Sequence, residues 1–267
     1  MSSPDLDRQS ALALLAWYAE MGVDECVGEA PVQRLGQVPP PTPPPAPTPV
    51  VRPIGGRQVP RIADPVASAR QLAAACDTLD ALRDAIAGFE GCALKATAHT
   101  TVFAAGNPHA PVMLIGEAPG QEEDAQGLPF VGPAGKLLDR MLAAIGRDRT
   151  SAYISNILNW RPPANRTPTL QEATMCLPFI RRHIELAGPK VVVLLGGTAV
   201  KHLLDTTEGI MRLRGKWTEL MLDEYGERRV SALPTLHPAY LLRQPAHKRL
   251  AWQDFLSLQR RLKELGA

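Results

Sequence analysis

The chain has 267 residues, of which 45% are hydrophobic and 21% are charged, and its formal net charge at pH 7 is +2. These proportions are typical of a folded protein with one or two cores and exclude a collagen-like or wholly disordered chain. A net charge so close to zero also means that any nucleic-acid site must come from a local cluster of cations.

The apolar runs are too short to span a membrane, and the first ten residues lack the basic and apolar segments of a signal peptide. We therefore expect a cytoplasmic protein of bacterial type with no membrane partner. The four cysteines, Cys26, Cys76, Cys92 and Cys176, are widely spaced and include no CxxC pair, so we expect reduced thiols.

The composition divides the chain into three parts. Residues 1–37 contain a run of strong helix formers at 10–22, which predicts a short apolar helix followed by an extension. Residues 38–63 form a linker, since nine of the 26 prolines fall between positions 39 and 53. Residues 64–267 read as a folded domain. The N-terminal helix would dock on this domain, or it or the linker would bind a protein partner, and the sequence favours neither over the other; a third alternative is a mobile tail.

Strand and helix patterns alternate through the domain. Apolar runs predict strands over 111–115, 152–156, 190–195 and 229–233. Helical periodicity predicts helices over 64–86, 135–145, 169–187, 197–204 and 246–265. This alternation predicts a three-layer α/β/α sandwich around a mainly parallel sheet, in which ligands bind beyond the carboxyl ends of the strands.

Four segments that follow strand ends carry candidate site residues. The acidic turn 116–124 is explained equally well by acids at a helix N-terminus, and it is not a phosphate loop. Phe130 lies among prolines and glycines and is either core or a surface on which an aromatic ligand stacks. Asn156 either caps a turn or reads an amide edge, and His237 is held by a following proline beside a local group of cations.

The order and placement of these segments resemble the type 4 enzymes of the uracil-DNA glycosylase superfamily. The resemblance extends from about residue 89 to 262. The motifs that carry it are VFAAGNP, GEAPGQEED, LPFVGPAG, SNILNWRPPANRTP, RLRGKW and HPAYLLR. It implies a repair enzyme that rotates uracil out of DNA and hydrolyses its N-glycosidic bond.

The resemblance also implies a role for individual residues. Catalytic roles would fall to His237, beside uracil O2, and to Glu117 or Glu123, which would orient water; the sequence neither separates these two acids nor excludes Asp124 from that role. Contacts to the base would come from Ala118, Asp124, Phe130 and Asn156. Phe130 would stack on the ring, and Asn156 would pair with its Watson–Crick edge.

The partner implied is DNA containing uracil or other deaminated bases, handled by a monomer that works on the nucleoid. Arg243 would enter the duplex where the base has left. The remaining phosphate contacts would come from Arg161, Arg166, Arg214, Lys248 and Arg249.

The chain departs from the family at the iron–sulfur cluster. Four cysteines hold the cluster in type 4 enzymes, and the matching positions here are Phe89, Cys92, Trp160 and Cys176. Two thiolates do not hold a cluster that needs four, so we expect no iron–sulfur cofactor and no metal. Cys92 and Cys176 would remain as free thiols or as a disulfide.

Two hypotheses about function follow. The first is a glycosylase without a cluster. The second is a catalytically weak DNA-binding or protein-interaction module on the same fold. The joint presence of Glu117, Phe130, Asn156 and His237 favours the enzyme, because a binding module without activity has no need for all four.

Overall fold

The computed structural model describes residues 64–223 and 227–267. The predicted N-terminal helix and extension, the proline-rich linker and Cys26 lie outside this part. Its helices are α1 (Pro65–Ala74), α2 (Leu79–Gly88), α3 (Gln121–Gln126), α4 (Pro133–Ala143), α5 (Leu170–Ala187), α6 (Gly197–Leu203), α7 (Ile210–Leu213), α8 (Pro238–Arg243) and α9 (Lys248–Glu264). Its strands are β1 (Ala104–Gly106), β2 (Val112–Gly116), β3 (Tyr153–Asn156), β4 (Val191–Leu195), β5 (Thr218–Met221) and β6 (Arg229–Thr235).

In the described residues the six strands form one sheet in the order β1-β3-β2-β4-β6-β5. The four central strands run parallel to one another, and the two outer strands pair antiparallel with their neighbours. This arrangement confirms the predicted mainly parallel sheet. None of the described helices is long and apolar enough to cross a membrane.

Both faces of the sheet are covered, which gives the three predicted layers. Successive residues of a strand point to opposite faces. Met113 and Val192 face a cluster that includes side chains of α1, α2, α5 and α6. Val112 and Val191 face a second cluster with α4 and α9. The central strands are therefore apolar throughout, as expected for strands buried on both sides.

The predicted helix over 64–86 is wrong in one respect, because the chain forms two helices there. Asp64 caps α1 by accepting hydrogen bonds from the N–H groups of Val66 and Ala67. Thr78 caps α2 by accepting from the N–H of Ala81. A capping residue offers the backbone a partner that continued helix would not use, so the break falls before Thr78.

The short outer strands were missed by the sequence prediction. β1 consists of Ala-Ala-Gly and β5 of Thr-Glu-Leu-Met. Such segments are too short to show a period of two, and pairing with a neighbouring strand determines their conformation. Sequence patterns also missed the short helices α3, α7 and α8.

The pairing of β2 with β3 fixes what lies at the carboxyl edge of the sheet. Gly116, the last residue of β2, is in register with Asn156, the last residue of β3. A Cβ atom on Gly116 would come within 2.4 Å of Asn156 Oδ1 and 2.6 Å of Phe130 Cζ. Glycine is therefore required here by space, since any side chain would collide with both neighbours.

A buried ion pair ties the end of β6 to α9. Both carboxylate oxygens of Asp254 bind the guanidinium of Arg214, and Oδ2 also accepts a 2.7 Å hydrogen bond from the hydroxyl of Thr235. Arg214 donates a further 2.6 Å hydrogen bond to the carbonyl of Leu250. Since the Asp254 side chain is only 1% exposed, water stabilises its charge very little, and the carboxylate and the guanidinium stabilise each other instead.

We expect Asp254→Asn to lower the free energy of unfolding by about 3 kcal/mol or more, because the Arg214 cation would lose its buried partner. Urea denaturation at neutral pH, followed by circular dichroism, measures the change. The control is Glu264→Gln, which removes an ion pair with Arg261. The side chains of Arg261 and Glu264 are 43% and 64% exposed. That change is expected to cost less than about 1 kcal/mol. Equal losses in the two variants would contradict a stabilising role for the buried pair.

Candidate functional site

A cavity of about 680 Å³ opens at the carboxyl edge of the parallel strands. Its size is in the range of small-molecule sites in proteins. Loops that follow β2, β3, β4 and β6 line it, as the α/β topology predicts. The predicted residues that line it are Glu117, Ala118, Glu123, Phe130, Asn156, Arg166, His237 and Arg243. The structure therefore brings together the four side chains on which the enzyme hypothesis depends.

Phe130 forms one wall of the cavity. The side chain is 5% exposed, and the backbone has a φ of 55°, in the left-handed region that an aromatic residue rarely adopts. Its ring centroid lies 5.6 Å from that of His237, with 30° between the planes. Gly135 permits this conformation, since a Cβ there would lie 1.7 Å from the Phe130 carbonyl oxygen.

Asn156 presents an acceptor without a partner. The residue is 3% exposed, and Oδ1 is buried without a hydrogen bond from any described residue. Buried polar atoms are nearly always paired, and an unpaired one costs about 1–3 kcal/mol. An acceptor left free beside an aromatic ring at a cavity wall is therefore suited to a donor on a bound ligand.

The hydrogen bonding of His237 fixes its tautomer. Nδ1 accepts a 3.1 Å hydrogen bond from the backbone N–H of Ala239 at the start of α8. Burial, assisted by the positive charge of Arg243, lowers the pKa of His237 to about 4. The imidazole is therefore neutral near pH 7, and because Nδ1 is an acceptor, Nε2 carries the proton. The ring offers the cavity an N–H donor.

The structure separates the three acids that follow β2. Glu123 Oε1 accepts hydrogen bonds of 2.9 Å from the N–H groups of both Val131 and Gly132, and Oε2 accepts one of 3.1 Å from Gly120. Its carboxylate is thus committed to the backbone of two loops. The Glu117 carboxylate, which also lines the cavity, makes no hydrogen bond to any residue in the described part of the chain.

The structure does not place the side chain of Asp124 at the cavity. Asp124 is 1% exposed and lies outside the cavity lining. Oδ1 accepts hydrogen bonds of 2.8 Å and 3.1 Å from the N–H groups of His99 and Thr100. The side chain therefore holds the preceding loop against α3. Its charge is solvated by backbone amides and is not available to a ligand.

The predicted phosphate-binding residues fall into two groups. Arg243, Lys248 and Arg249 are exposed, and Arg243 also lines the cavity. Arg214 is not among these exposed cations, because its side chain is 14% exposed and its guanidinium binds Asp254. The sequence shows a cation in a basic segment, whereas only the packing of α9 reveals its acidic partner.

The remaining two arginines are engaged locally. Arg166 lines the cavity, and its guanidinium donates two hydrogen bonds, of 2.9 Å and 2.7 Å, to the carboxylate of Glu172. The hydrogen bonds from Arg166 lower the pKa of Glu172 to about 2. Arg161 lies outside the cavity lining and donates a 2.7 Å hydrogen bond to the side chain of Asn165.

The cavity also has lining side chains that were not predicted from the sequence, among them Tyr240 and Met211. Tyr240 lines it, and its hydroxyl lies 2.6 Å from His247 Nδ1. Met211 lines it from α7 and is 51% exposed. Tyr240 lies three residues after His237, and the spacing of positions that share one face of a helix would have indicated it. Met211 follows no strand end, so no sequence signal pointed to it.

The four positions that the family resemblance matched to cluster ligands form a packed apolar group. Phe89 and Trp160 are each 1% exposed, with ring centroids 6.5 Å apart. The Phe89 ring also makes an edge contact with the ring of Phe179, and their centroids are 5.1 Å apart. Trp160 Nε1 donates a 3.1 Å hydrogen bond to the hydroxyl of Thr101, so its one polar atom is paired.

Cys92 and Cys176 are free thiols that hydrogen-bond to each other. This bond, followed by burial, raises the pKa of Cys176 well above its ordinary value. Within the described residues no group of three or more His, Cys, Asp or Glu side chains is placed to hold a metal ion. Two thiols beside two aromatic rings do not fit a cluster that needs four thiolates.

Comparison with known proteins agrees with this geometry. The model of the uracil-DNA glycosylase superfamily matches residues 103–256. The chain is 35% identical over 191 residues to a type-4 uracil-DNA glycosylase of Sulfurisphaera tokodaii, an alignment that covers 68% of this chain and 84% of the relative. It is 37% identical to a type-4 uracil-DNA glycosylase of Archaeoglobus fulgidus, covering 67% of this chain and 90% of the relative.

A third relative, a type-4 uracil-DNA glycosylase of Thermotoga maritima, is 37% identical over 66% of this chain and 90% of its own length. The residues matched by the family model include most of those that line the cavity. The chain therefore belongs to the uracil-DNA glycosylase superfamily.

Proposed function

We propose that this protein is a DNA glycosylase that takes a uracil rotated out of DNA into the cavity and hydrolyses its N-glycosidic bond. The observation that carries the proposal is the unpaired Oδ1 of Asn156 next to the Phe130 ring. An enzyme that flips a base reads it by stacking and by hydrogen bonds to its Watson–Crick edge. These two side chains supply both contacts.

Asn156 selects uracil through the order of its donor and acceptor. Oδ1 accepts from uracil N3–H, and the amide Nδ2 donates to uracil O4. Cytosine presents an acceptor at N3 and a donor at N4, so both contacts would be mismatched. Leaving these polar groups unpaired in a buried site costs a few kcal/mol, on the order of 100-fold in rate or more.

His237 stabilises the departing base. Cleavage of the glycosidic bond leaves negative charge on uracil and positive charge on the sugar. A neutral imidazole with its proton on Nε2 donates to uracil O2 and needs no ionisation to do so. The hydrogen bond strengthens as charge accumulates on that oxygen, so it stabilises the transition state more than the bound substrate.

Glu117 is the acid that orients water toward the sugar. Its carboxylate lines the cavity without a partner among the described residues, whereas three backbone N–H groups occupy that of Glu123. A carboxylate at this position also stabilises the positive charge that develops on the sugar. We therefore assign Glu123 to holding the loops and Glu117 to the reaction.

DNA lies across the exposed cations at the cavity rim. Arg243 occupies the rim itself, while Lys248 and Arg249 begin α9 beside it. We propose that Arg243 fills the gap left by the flipped base and that the other two bind phosphates, which makes affinity fall steeply with salt. Arg161 and Arg166 stabilise the adjacent loop and contact the DNA backbone at the edge of that loop.

The enzyme works without an iron–sulfur cluster. Phe89 and Trp160 are buried where two of the thiolate ligands would be required, and they pack as an apolar core. This packing holds the loop before Arg161, so the loop keeps its conformation without a metal. The catalytically weak binding module remains the alternative, and the following assay distinguishes it.

We expect the full-length protein to release uracil from oligonucleotides in EDTA, leaving abasic sites that alkali cleaves, and to leave matched thymine and cytosine strands intact. Asn156→Ala is expected to lower the single-turnover rate about 10- to 100-fold, because uracil N3–H and O4 lose their partners. The control is Gln171→Ala, on the exposed surface of α5. Absence of uracil-specific cleavage by the wild type would support the binding module instead.

We expect the protonation state of His237 to stay constant between about pH 5 and pH 8, so that this residue causes little change in the rate over that range. With a pKa of about 4, the ring takes up a proton only below this range, whereas an ordinary histidine would become charged within it. NMR titration of labelled histidines, with His237→Gln for assignment, measures the midpoint directly. A midpoint near 6.5 for His237 would refute the neutral donor.

We expect less than about 0.1 iron or acid-labile sulfide per chain after purification without oxygen, because the residues at the cluster positions provide only two thiolates. The matched comparison is the double variant Phe89→Cys with Trp160→Cys, which completes the four thiols and is expected to take up iron. Stoichiometric iron and sulfide in the wild type would overturn the proposal of a cluster-free enzyme.

A further inference from the structure

The loop that carries Phe130 is held in an unfavourable conformation. Phe130 is one of the non-glycine residues with positive φ among those described, at 55°. Such a residue relaxes to an extended or right-handed conformation unless its surroundings hold it. The orientation of the ring therefore depends on whatever holds the backbone on either side of it.

Two opposite charges hold this loop. On one side, Glu123 accepts the N–H groups of Val131 and Gly132 at 2.9 Å. On the other side, the guanidinium of Arg149 donates a 3.2 Å hydrogen bond to the carbonyl of Pro129 and a second, shorter one to the carbonyl of Phe130. The N–H and C=O groups around the left-handed residue are thus paired with an anion and a cation.

Arg149 is itself fixed in place. Its Nε donates a 2.9 Å hydrogen bond to Asp139 on α4. Its carbonyl accepts a 3.1 Å hydrogen bond from the N–H of Asn107, and the neighbouring turn is closed by Asp148 and Ser151. The guanidinium therefore reaches the Phe130 carbonyl from a rigid support, with little freedom to follow a relaxing loop.

We propose that Arg149 is a positioning residue that acts through the Phe130 backbone to hold the aromatic ring against the bound base. The inference rests on the proposed glycosylase function and adds to it the group that sets the ring in place. Arg149 lies outside the cavity lining, so it does not contact the base itself. Its loss would free the Phe130 carbonyl and let the ring turn away from the stacking plane.

The test compares Arg149→Met with Arg149→Lys and with Arg147→Met. Arg147 lies in the same segment, and its side chain makes no hydrogen bond to any described residue, so its removal is expected to change nothing. Arg149→Met is expected to lower the single-turnover rate and the affinity for free uracil together, each about 10- to 100-fold. Arg149→Lys keeps a donor and is expected to recover part of both.

A merely structural role is distinguished by a variant that lowers stability elsewhere. Ile86→Val removes a methyl group from the core beneath α2, where Ile86 is 1% exposed, and is expected to lower the melting temperature without changing uracil affinity. Affinity for an abasic duplex, measured by fluorescence anisotropy, is expected to stay within about twofold in every variant because the phosphate contacts are untouched.

Wild-type rate and uracil affinity in Arg149→Met would overturn the inference and leave the glycosylase proposal intact. A parallel loss of uracil affinity in Ile86→Val would also overturn it, since the effect would then follow stability alone. A wild-type protein that neither cleaves uracil-containing DNA nor binds uracil would overturn the proposed function itself.

Discussion

The register between β2 and β3 places a residue without a side chain next to one with an unpaired amide. Gly116 and Asn156 end neighbouring parallel strands in register, and the space that a Cβ would take is filled by Asn156 Oδ1 and the edge of Phe130. The cavity wall exists because these three residues touch. A larger residue at 116 would displace the amide or the ring, and a shift of the register would separate them.

Polar groups around the cavity are either paired within the protein or left without a partner among the described residues. Glu123 and Arg149 are paired with the backbone of the Phe130 loop, and Asp124 with the backbone before β1. By contrast, Asn156 Oδ1 is unpaired, and His237 uses Nδ1 internally. This division follows from the cost of burying unpaired polar atoms, which a site tolerates only where a ligand completes the hydrogen bonds.

The loop after Trp160 is held in place by two kinds of interaction. The segment after Trp160 is supported from below by the contact of that ring with Phe89. Farther along, Arg166 pairs with Glu172, which also closes a capping box with Thr169 at the start of α5. Apolar packing and a charged cap thus hold this loop beside the cavity.

Much of the fold was predictable from sequence because its signals are local. Continuous apolar runs indicated the four central strands, and their alternation with helices fixed the α/β/α class and the edge at which a site forms. The positions of strand ends indicated the segments of Asn156 and His237, and the family resemblance implied that they share one pocket with Phe130. It failed where structure depends on pairing partners, as in the outer strands, or on a single capping residue, as at Thr78.

The sequence by itself therefore determined the kinds of side chain available at the sheet edge and the family they indicate. Only the tertiary structure decided which of them are free to act. In the structure Arg214 forms an ion pair with Asp254, and Asp124 accepts hydrogen bonds from the backbone of residues 99–100. Arg149 donates a hydrogen bond to the Phe130 carbonyl. The physical reason is that burial and charge pairing join residues distant in the chain, so they leave no pattern in the sequence around either partner.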